Sequence, residues 1–196
     1  MGHYQQRQLQ AFADRVTALK TDSTRHKCFI SYHAADTDDV TQFISDFGTE
    51  FIAKTVGVTD EDDFIDSTNS DYIMDQIRSK YLADSTVTIV LVGQCTWARR
   101  YVDWEIYSSL RSSKLSKVNG LLAIQLPGGG KIQARVDDNI ERQANATDIG
   151  YARWMAYPSS KSTLRGWISD AFDARTSRSY LINNSRPRRL SSTACP

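Results

Sequence analysis

The sequence predicts an α/β fold in which a mostly parallel β-sheet carries helices on both faces. The first observation is that short, strand-like apolar runs alternate along the chain with segments of helical periodicity. The second is the run TVTIVLVG (86–93), which is almost continuously apolar and therefore typical of a strand buried on both faces. The third is size, because 196 residues, 40% of them hydrophobic, suffice for one well-packed domain.

In the N-terminal half, polar stretches separate three predicted helices and one predicted strand. Residues 1–25 form a helical extension in this interpretation, because apolar residues recur three and four apart, and we expect that helix to dock on its own domain. A strand is predicted in KCFISYH (27–33) and a helix over residues 40–53. Residues 54–70 are acidic and irregular, and Thr68 with Asp71 has the spacing of a capping box before a further helix.

The C-terminal half continues the alternation. After the strand at 86–93 we expect a helix from Arg100 to Ser112, a strand in VNGLLAIQL (118–126) and a short strand in RWMAY (153–157). A last helix is predicted over about residues 161–175. The domain would then span residues 26–176, and residues 177–196 would form a loose, polar and basic tail.

Charge and cysteine content narrow the classes of function. A formal net charge of +1 gives no reason to expect nucleic acid or a membrane surface as a partner, and there is no apolar run of about 18 residues for a membrane span. The three cysteines, Cys28, Cys95 and Cys195, predict neither a disulfide nor a zinc site, which favours a reducing cytoplasm. The acidic run TDEDDFID (59–66) lacks the ligand pattern of a calcium loop, so we expect no metal.

A ligand site is expected after the first and the central strand, since α/β sheets bind ligands outside the carboxyl ends of their strands. Tyr32, His33 and Asp36 follow KCFISYH and should face that crevice. Cys95 follows the central strand, so the expected geometry permits a nucleophilic pair between the Cys95 thiol and His33. No third orienting group is evident for that pair, and a packing role for Cys95 is favoured.

Glu105 lies among aromatic and apolar residues in RRYVDWEIYSSLR (99–111). In a helix that begins near Arg100 it falls in the second turn, close to the positive end of the helix dipole. It borders the apolar stripe of Val102 and Ile106, with Tyr101 one turn earlier on the same side. Spacing alone favours a solvated glutamate paired with a neighbouring arginine over a carboxylate held at a working site.

KCFISYH, TVTIVLVG and RRYVDWEI, in this order, resemble the TIR-like domains of bacterial anti-phage defence, and in particular the ThsB subunits of the Thoeris system. The resemblance covers about residues 26–126 and includes GVTDEDDFIDSTNSDYIMDQI (57–77). It implies a flavodoxin-like fold and cleavage of NAD⁺, which would be a substrate and not a cofactor, at the nicotinamide–ribose bond. Many TIR domains have a tryptophan–cysteine pair where this chain has Tyr101-Val102.

The resemblance also implies roles for individual residues. Glu105 corresponds to the catalytic glutamate, four residues after the aromatic Tyr101. The residues expected to bind substrate are Tyr32, His33, Asp36, Arg99, Arg100 and Tyr101, with the two arginines as candidate contacts to diphosphate. The product would be an ADP-ribose-derived signal, expected to be a cyclic isomer, which diffuses to a separate effector.

An alternative keeps the same fold without catalysis. A TIR-type interaction module would use the domain for assembly, including homo-oligomerisation, and Glu105 would then be a surface residue. A cysteine–histidine hydrolase using Cys95 is the third hypothesis.

Overall fold

Five strands form one parallel sheet in the order β2-β1-β3-β4-β5. The structure, a computed structural model, describes residues 2–21, 24–56, 69–112, 117–140 and 150–195. The elements are α1 (Gly2–Ala18), β1 (Lys27–Ser31), α2 (Thr37–Phe47), β2 (Ile52–Val56), α3 (Ser70–Gln76, continued by a π-helical segment, Ile77–Leu82), β3 (Val87–Val92), α4 (Arg100–Ser109), β4 (Gly120–Gln125), α5 (Ala134–Asp137), β5 (Arg153–Met155) and α6 (Lys161–Ser177). This is the flavodoxin-like strand order, which confirms the predicted α/β fold class.

The sheet separates two layers of helices, because successive side chains of a strand point to opposite faces. Ile89 and Leu91 of β3 belong to a core shared with α1, α2 and α6. Val90 and Val92 of the same strand pack on the other face with α4 and α5. All six residues of β3 are buried, as expected for a central strand covered on both faces.

The prediction of a helix over residues 40–53 is wrong at its C-terminal end. Helix α2 stops at Phe47, and residues 52–56 form strand β2 at the edge of the sheet. Phe51 continued the helical spacing by coincidence, since it is buried in the core beside Phe43 after the chain has left the helix.

The start of α3 is capped one residue later than predicted. Thr68 and the acidic run 59–66 lie outside the described residues. The Asn69 side chain accepts hydrogen bonds from the backbone N–H groups of Asp71 and Tyr72, both at 3.1 Å. Asn69 therefore serves as the N-cap of the helix.

The N-terminal helix docks on the domain, as predicted. Leu9, Ala13 and Val16 of α1 are buried in the core on the α2 side of the sheet. Within the described parts of the chain, no helix combines the length and the apolar character that a membrane crossing requires.

The C-terminal tail is not loose, which corrects the prediction. Arg135 is 0% exposed and forms an ion pair with Asp103 of α4, with Nε at 2.9 Å from Oδ1. Arg135 Nη2 also donates to Asp103 Oδ2 at 3.2 Å, and the remaining Arg135 donors bind Asn184 Oδ1 and the carbonyls of Arg186 and Pro187. Residues 183–195, here called the C-terminal strap, therefore lie along α4 and are held there by the buried guanidinium of Arg135.

A disulfide joins Cys95 to Cys195, 100 residues apart, so the prediction of three unpaired cysteines is wrong. Cys28 stays a free, buried thiol in the core. The bond attaches the end of the C-terminal strap to the loop that follows β3.

We predict that Arg135→Met lowers the free energy of unfolding by about 3–5 kcal/mol, because it leaves the Asp103 carboxylate buried without its ion-pair partner. The measurement is chemical denaturation without reductant. Arg186→Ala is the control, since Arg186 pairs with Asp138 at the surface and should cost less than about 1 kcal/mol. Equal effects of the two substitutions would contradict the prediction.

Candidate active site

The crevice lies where the carboxyl ends of β1 and β3 meet. The chain runs from β1 to β2 on one side and then returns across β1 to β3 on the other. Strand connections therefore diverge at this edge, which is the position where doubly wound sheets bind ligands. The Ser31 end of β1, the loop after Gly93 and the start of α4 all face this point.

Glu105 is buried at this crevice, with 1% of its surface exposed. The hydroxyl of Ser31, the last residue of β1, donates to Glu105 Oε2 at 2.5 Å. The interpretation of Glu105 as a solvated surface residue is therefore wrong.

Packing of α4 determines where Glu105 lies. Val102 and Ile106 of α4 are buried against β3 and β4, which fixes the rotation of the helix. The following turn of α4 also contacts Glu105, since Ser109 Oγ donates to the Glu105 carbonyl at 2.8 Å. The carboxylate therefore points from α4 across to the end of β1.

Asp36 occupies the β3 side of the same crevice. Thr96 Oγ donates to Asp36 Oδ2 at 3.1 Å and accepts from the Gly93 backbone N–H at 2.9 Å. A Cβ atom on Gly93 would collide with the Asp36 carboxyl group, so this contact requires glycine. Burial raises the pKa of Asp36 above its ordinary value, while the Thr96 hydrogen bond and the charges of His33 and Arg99 oppose that shift.

Tyr32 and His33 are half-buried residues that follow β1. Burial raises the pKa of Tyr32 to about 12, and the Glu105 charge adds to that shift against a hydrogen bond with Thr37. The phenol is therefore protonated at neutral pH. His33 contributes its charge to Asp36, so both residues belong to the predicted crevice.

The two arginines of the predicted diphosphate pair have different surroundings. The Arg99 charge acts on Asp36, and its buried Nε is one of three buried side-chain polar atoms without a hydrogen-bond partner in the described residues. The Arg100 guanidinium instead lies over the rings of Tyr101 and Trp104, at 4.7 and 5.2 Å from their centroids. It also donates to the Tyr101 hydroxyl. Arg99 therefore acts on Asp36 through its charge, while Arg100 packs on the aromatic rings of α4.

Ser31 and Thr96 are site residues that the sequence analysis missed. Ser31 lies within the predicted strand KCFISYH and is the last residue of β1 in the structure. A serine in a buried strand has no sequence pattern that would single it out. Thr96 follows the central strand at the distance of a short loop and could have been found by the topology rule that selected Cys95.

Cys95 is not available as a nucleophile in this structure, since its sulfur is bonded to Cys195. Attack by cysteine requires a thiolate, so the cysteine–histidine hypothesis fails for the oxidised chain. The described residues contain no group of three or more histidine, cysteine or acidic side chains that could hold a metal ion.

This protein is therefore a flavodoxin-like α/β domain with a buried carboxylate, a candidate active site, at the switch point of its sheet. Residues 29–131, just over half of the chain, match the family described as the TIR-like domain of the Thoeris protein ThsB. The chain belongs to this family, and membership implies a part in anti-phage defence. No curated protein matches the sequence.

The raised pKa of Asp36 predicts a pH dependence of stability. The folded chain binds the Asp36 proton more tightly than the unfolded chain. Protonated Asp36 therefore stabilises the fold at low pH, and this contribution to the free energy of unfolding is lost as the pH rises from about 3.9 through the raised pKa. Asp36→Asn lacks that loss. Its free energy of unfolding, relative to wild type, should therefore increase over this range in urea titrations at several pH values. A difference that stays constant or falls would contradict the assignment.

Proposed function

We propose that this protein cleaves NAD⁺ at the nicotinamide–ribose bond, with Glu105 as the catalytic carboxylate. The observation that carries the proposal is the buried contact between Glu105 and Ser31 at the switch point of the sheet. A carboxylate with 1% exposure on a helix of this family is held in one place by the protein and not by solvent.

The reaction requires only one carboxylate. A glycosidase acting on an ordinary sugar needs a second one to protonate its alcohol leaving group. Nicotinamide leaves NAD⁺ as a neutral molecule, so no general acid is needed. What remains is to stabilise the positive charge that develops on the ribose, and a fixed carboxylate acts more strongly in a buried site than in water.

The other crevice residues support binding of the dinucleotide. The buried Arg99 Nε is a donor without a hydrogen-bond partner among the described residues, which suits an anionic or hydroxyl-bearing ligand. Tyr32 and His33 provide an aromatic wall with polar tips at the end of β1. Arg100 stacks on Tyr101 and Trp104 of α4. We assign it the role of holding these two rings in place beside the crevice.

The product proposed is an ADP-ribose-derived signal, and a cyclic isomer follows if the crevice excludes water from the ribosyl cation. Another part of the same molecule is then the nucleophile that captures the cation. The signal would diffuse in the cytoplasm to a separate effector protein. NAD⁺ is a substrate in this proposal, and neither nucleic acid nor a membrane takes part.

A non-catalytic interaction module remains the alternative that this proposal must exclude. That hypothesis treats Glu105 as a surface residue available for assembly contacts. The burial of Glu105 and its hydrogen bond with Ser31 favour the catalytic proposal instead.

We predict that Glu105→Gln folds normally and loses nicotinamide release from NAD⁺ by at least about 100-fold in kcat, because the charge that stabilises the ribosyl cation is removed. The measurement is release of nicotinamide by purified protein, repeated at high protein concentration. Asp173→Asn is the matched control, since it makes the same chemical change on an exposed residue of α6 beside His26, which precedes β1. Undiminished turnover of Glu105→Gln would exclude this assignment.

Ser31→Ala should lower kcat by about 10- to 100-fold with little change in KM, since a hydrogen bond to a charged group contributes about 1.5–3 kcal/mol. Ser31 is a positioning residue here, because it acts on the orientation of Glu105. Ser31→Thr retains the hydroxyl and should recover part of kcat. An equal loss in Ser31→Ala and Ser31→Thr would instead indicate a packing defect.

A further inference from the structure

A small cavity lies at the amino end of the sheet, opposite the end that carries the crevice. Its lining comes from the π-helical continuation of α3, the end of α4 and the residues that precede β4. None of the described lining residues is acidic. Three are cationic and three are polar, namely Arg78, Arg111, Lys117, Ser108, Ser109 and Asn119.

A network of buried polar side chains forms the floor of this cavity. Asn119 Nδ2 donates to Ser85 Oγ at 2.8 Å and to Thr88 Oγ1 at 3.2 Å. The hydroxyls of Thr88 and Ser109 are hydrogen-bonded at 2.7 Å, and Ser109 Oγ also donates to the Glu105 carbonyl. Because these side chains are buried and bonded to one another, the floor is fixed before any ligand arrives.

Arg78 is the innermost cation of the cavity, with 8% of its surface exposed. Its Nη1 donates to the carbonyls of Ser108 and Arg111, at 3.3 and 2.6 Å, and so satisfies the end of α4. Burial and the like charge of Arg111 lower the pKa of Arg78, whereas the Asp75 charge opposes that shift. The two guanidiniums therefore repel each other, and an anion in the cavity would offset that repulsion.

Arg111 and Lys117 lie nearer the mouth of the cavity, since Arg111 is half-buried and Lys117 is exposed. Within the described residues, neither forms an ion pair with a carboxylate. The Arg111 guanidinium lies over the Tyr107 ring, 5.5 Å from its centroid. That contact restricts where the guanidinium lies, which reduces the entropy that a ligand must remove on binding.

We propose that this cavity binds a phosphoryl group, either free phosphate or the phosphate of a monoester. Arg78, Arg111 and Lys117 supply three positive charges, and Asp75, which acts on Arg78, offsets one of them. The remaining two match a phosphate monoester, which carries about −1.5 to −2 at pH 7. Guanidinium N–H groups also fit the spacing of phosphate oxygens.

The size of the cavity limits how the anion enters. Its interior of about 10 Å³ has room for one water-sized group. One phosphate oxygen would therefore enter toward Arg78, while the other oxygens stay at the mouth beside Arg111 and Lys117. An organic group esterified to the phosphate would remain outside. The proposal goes beyond NAD⁺ cleavage and does not depend on it, since the crevice lies at the other end of the sheet.

The first test is calorimetric titration of inorganic phosphate into the purified chain at pH 8 and constant ionic strength. We expect one site per chain with a dissociation constant below about 1 mM. Acetate, which carries a single negative charge, should bind at least tenfold more weakly. A dissociation constant above that value for phosphate, or equal affinity for acetate, would overturn the proposal.

The second test places the anion by substitution. Arg111→Gln and Lys117→Gln should each raise the dissociation constant for phosphate at least fivefold, because each removes a charge at the mouth. The Arg111 carbonyl that Arg78 binds is unchanged by the substitution, so the end of α4 stays capped. Lys161→Gln, the same change on an exposed lysine of α6, is the matched control and should bind as wild type does. Wild-type affinity in Arg111→Gln would contradict the assignment.

The third test separates this cavity from the crevice. Arg99→Gln should bind phosphate with unchanged affinity, since Arg99 does not line the cavity. Loss of binding in Arg99→Gln, with Arg111→Gln unaffected, would place the phosphate in the crevice and overturn the proposal. Glycerol 3-phosphate then identifies the source of the phosphoryl group. Affinity equal to or above that of phosphate indicates a monoester as the ligand, lower affinity indicates free phosphate, and both results support the site.

Discussion

The position of helix α4 depends on the buried ion pair between Asp103 and Arg135. A guanidinium with no exposed surface is tolerated only when its donors are satisfied, and all five N–H groups of Arg135 have acceptors. Two of those acceptors are on α4 and three are on the C-terminal strap. The same charge therefore joins the helix to the strap, two residues before Glu105.

The order of the strands then determines which side chains meet. Because β1 and β3 are neighbours with diverging connections, the end of β1 faces the start of α4. Ser31 and Glu105 are 74 residues apart in the sequence and form a buried hydrogen bond at this point. Burial strengthens the field of the carboxylate, since little water remains to screen it.

Much of the fold could be predicted from periodicity. The buried strand β3 and helices α4 and α6 follow regular apolar patterns, and the topology rule selected the loops after β1 and β3, which the parallel pairing of these strands brings to one edge of the sheet. Strand β2 was missed because Phe51 extends the helical spacing of α2. The burial of Glu105 could not be seen, because a residue at the border of an apolar stripe is covered or exposed according to what packs beside the helix.

The C-terminal strap shows the limit of composition as a guide. Arginine, proline and serine in SRPRRLSSTACP are typical of a solvated tail, yet the segment is ordered by partners far away in the sequence. Arg135 gave no signal because it lies in a stretch without clear periodicity. Cys95 and Cys195 could not be paired from sequence, since only the fold brings their Cα atoms to 5.7 Å.

The central claim is that the buried carboxylate of Glu105 breaks the nicotinamide–ribose bond of NAD⁺. Mass spectrometry of the products formed from NAD⁺ by the reduced protein tests it most directly. The account predicts free nicotinamide together with an ADP-ribose-derived product, one water lighter than ADP-ribose if the ribosyl cation is captured within the molecule. Intact NAD⁺ after incubation at high protein concentration in both redox states would contradict it.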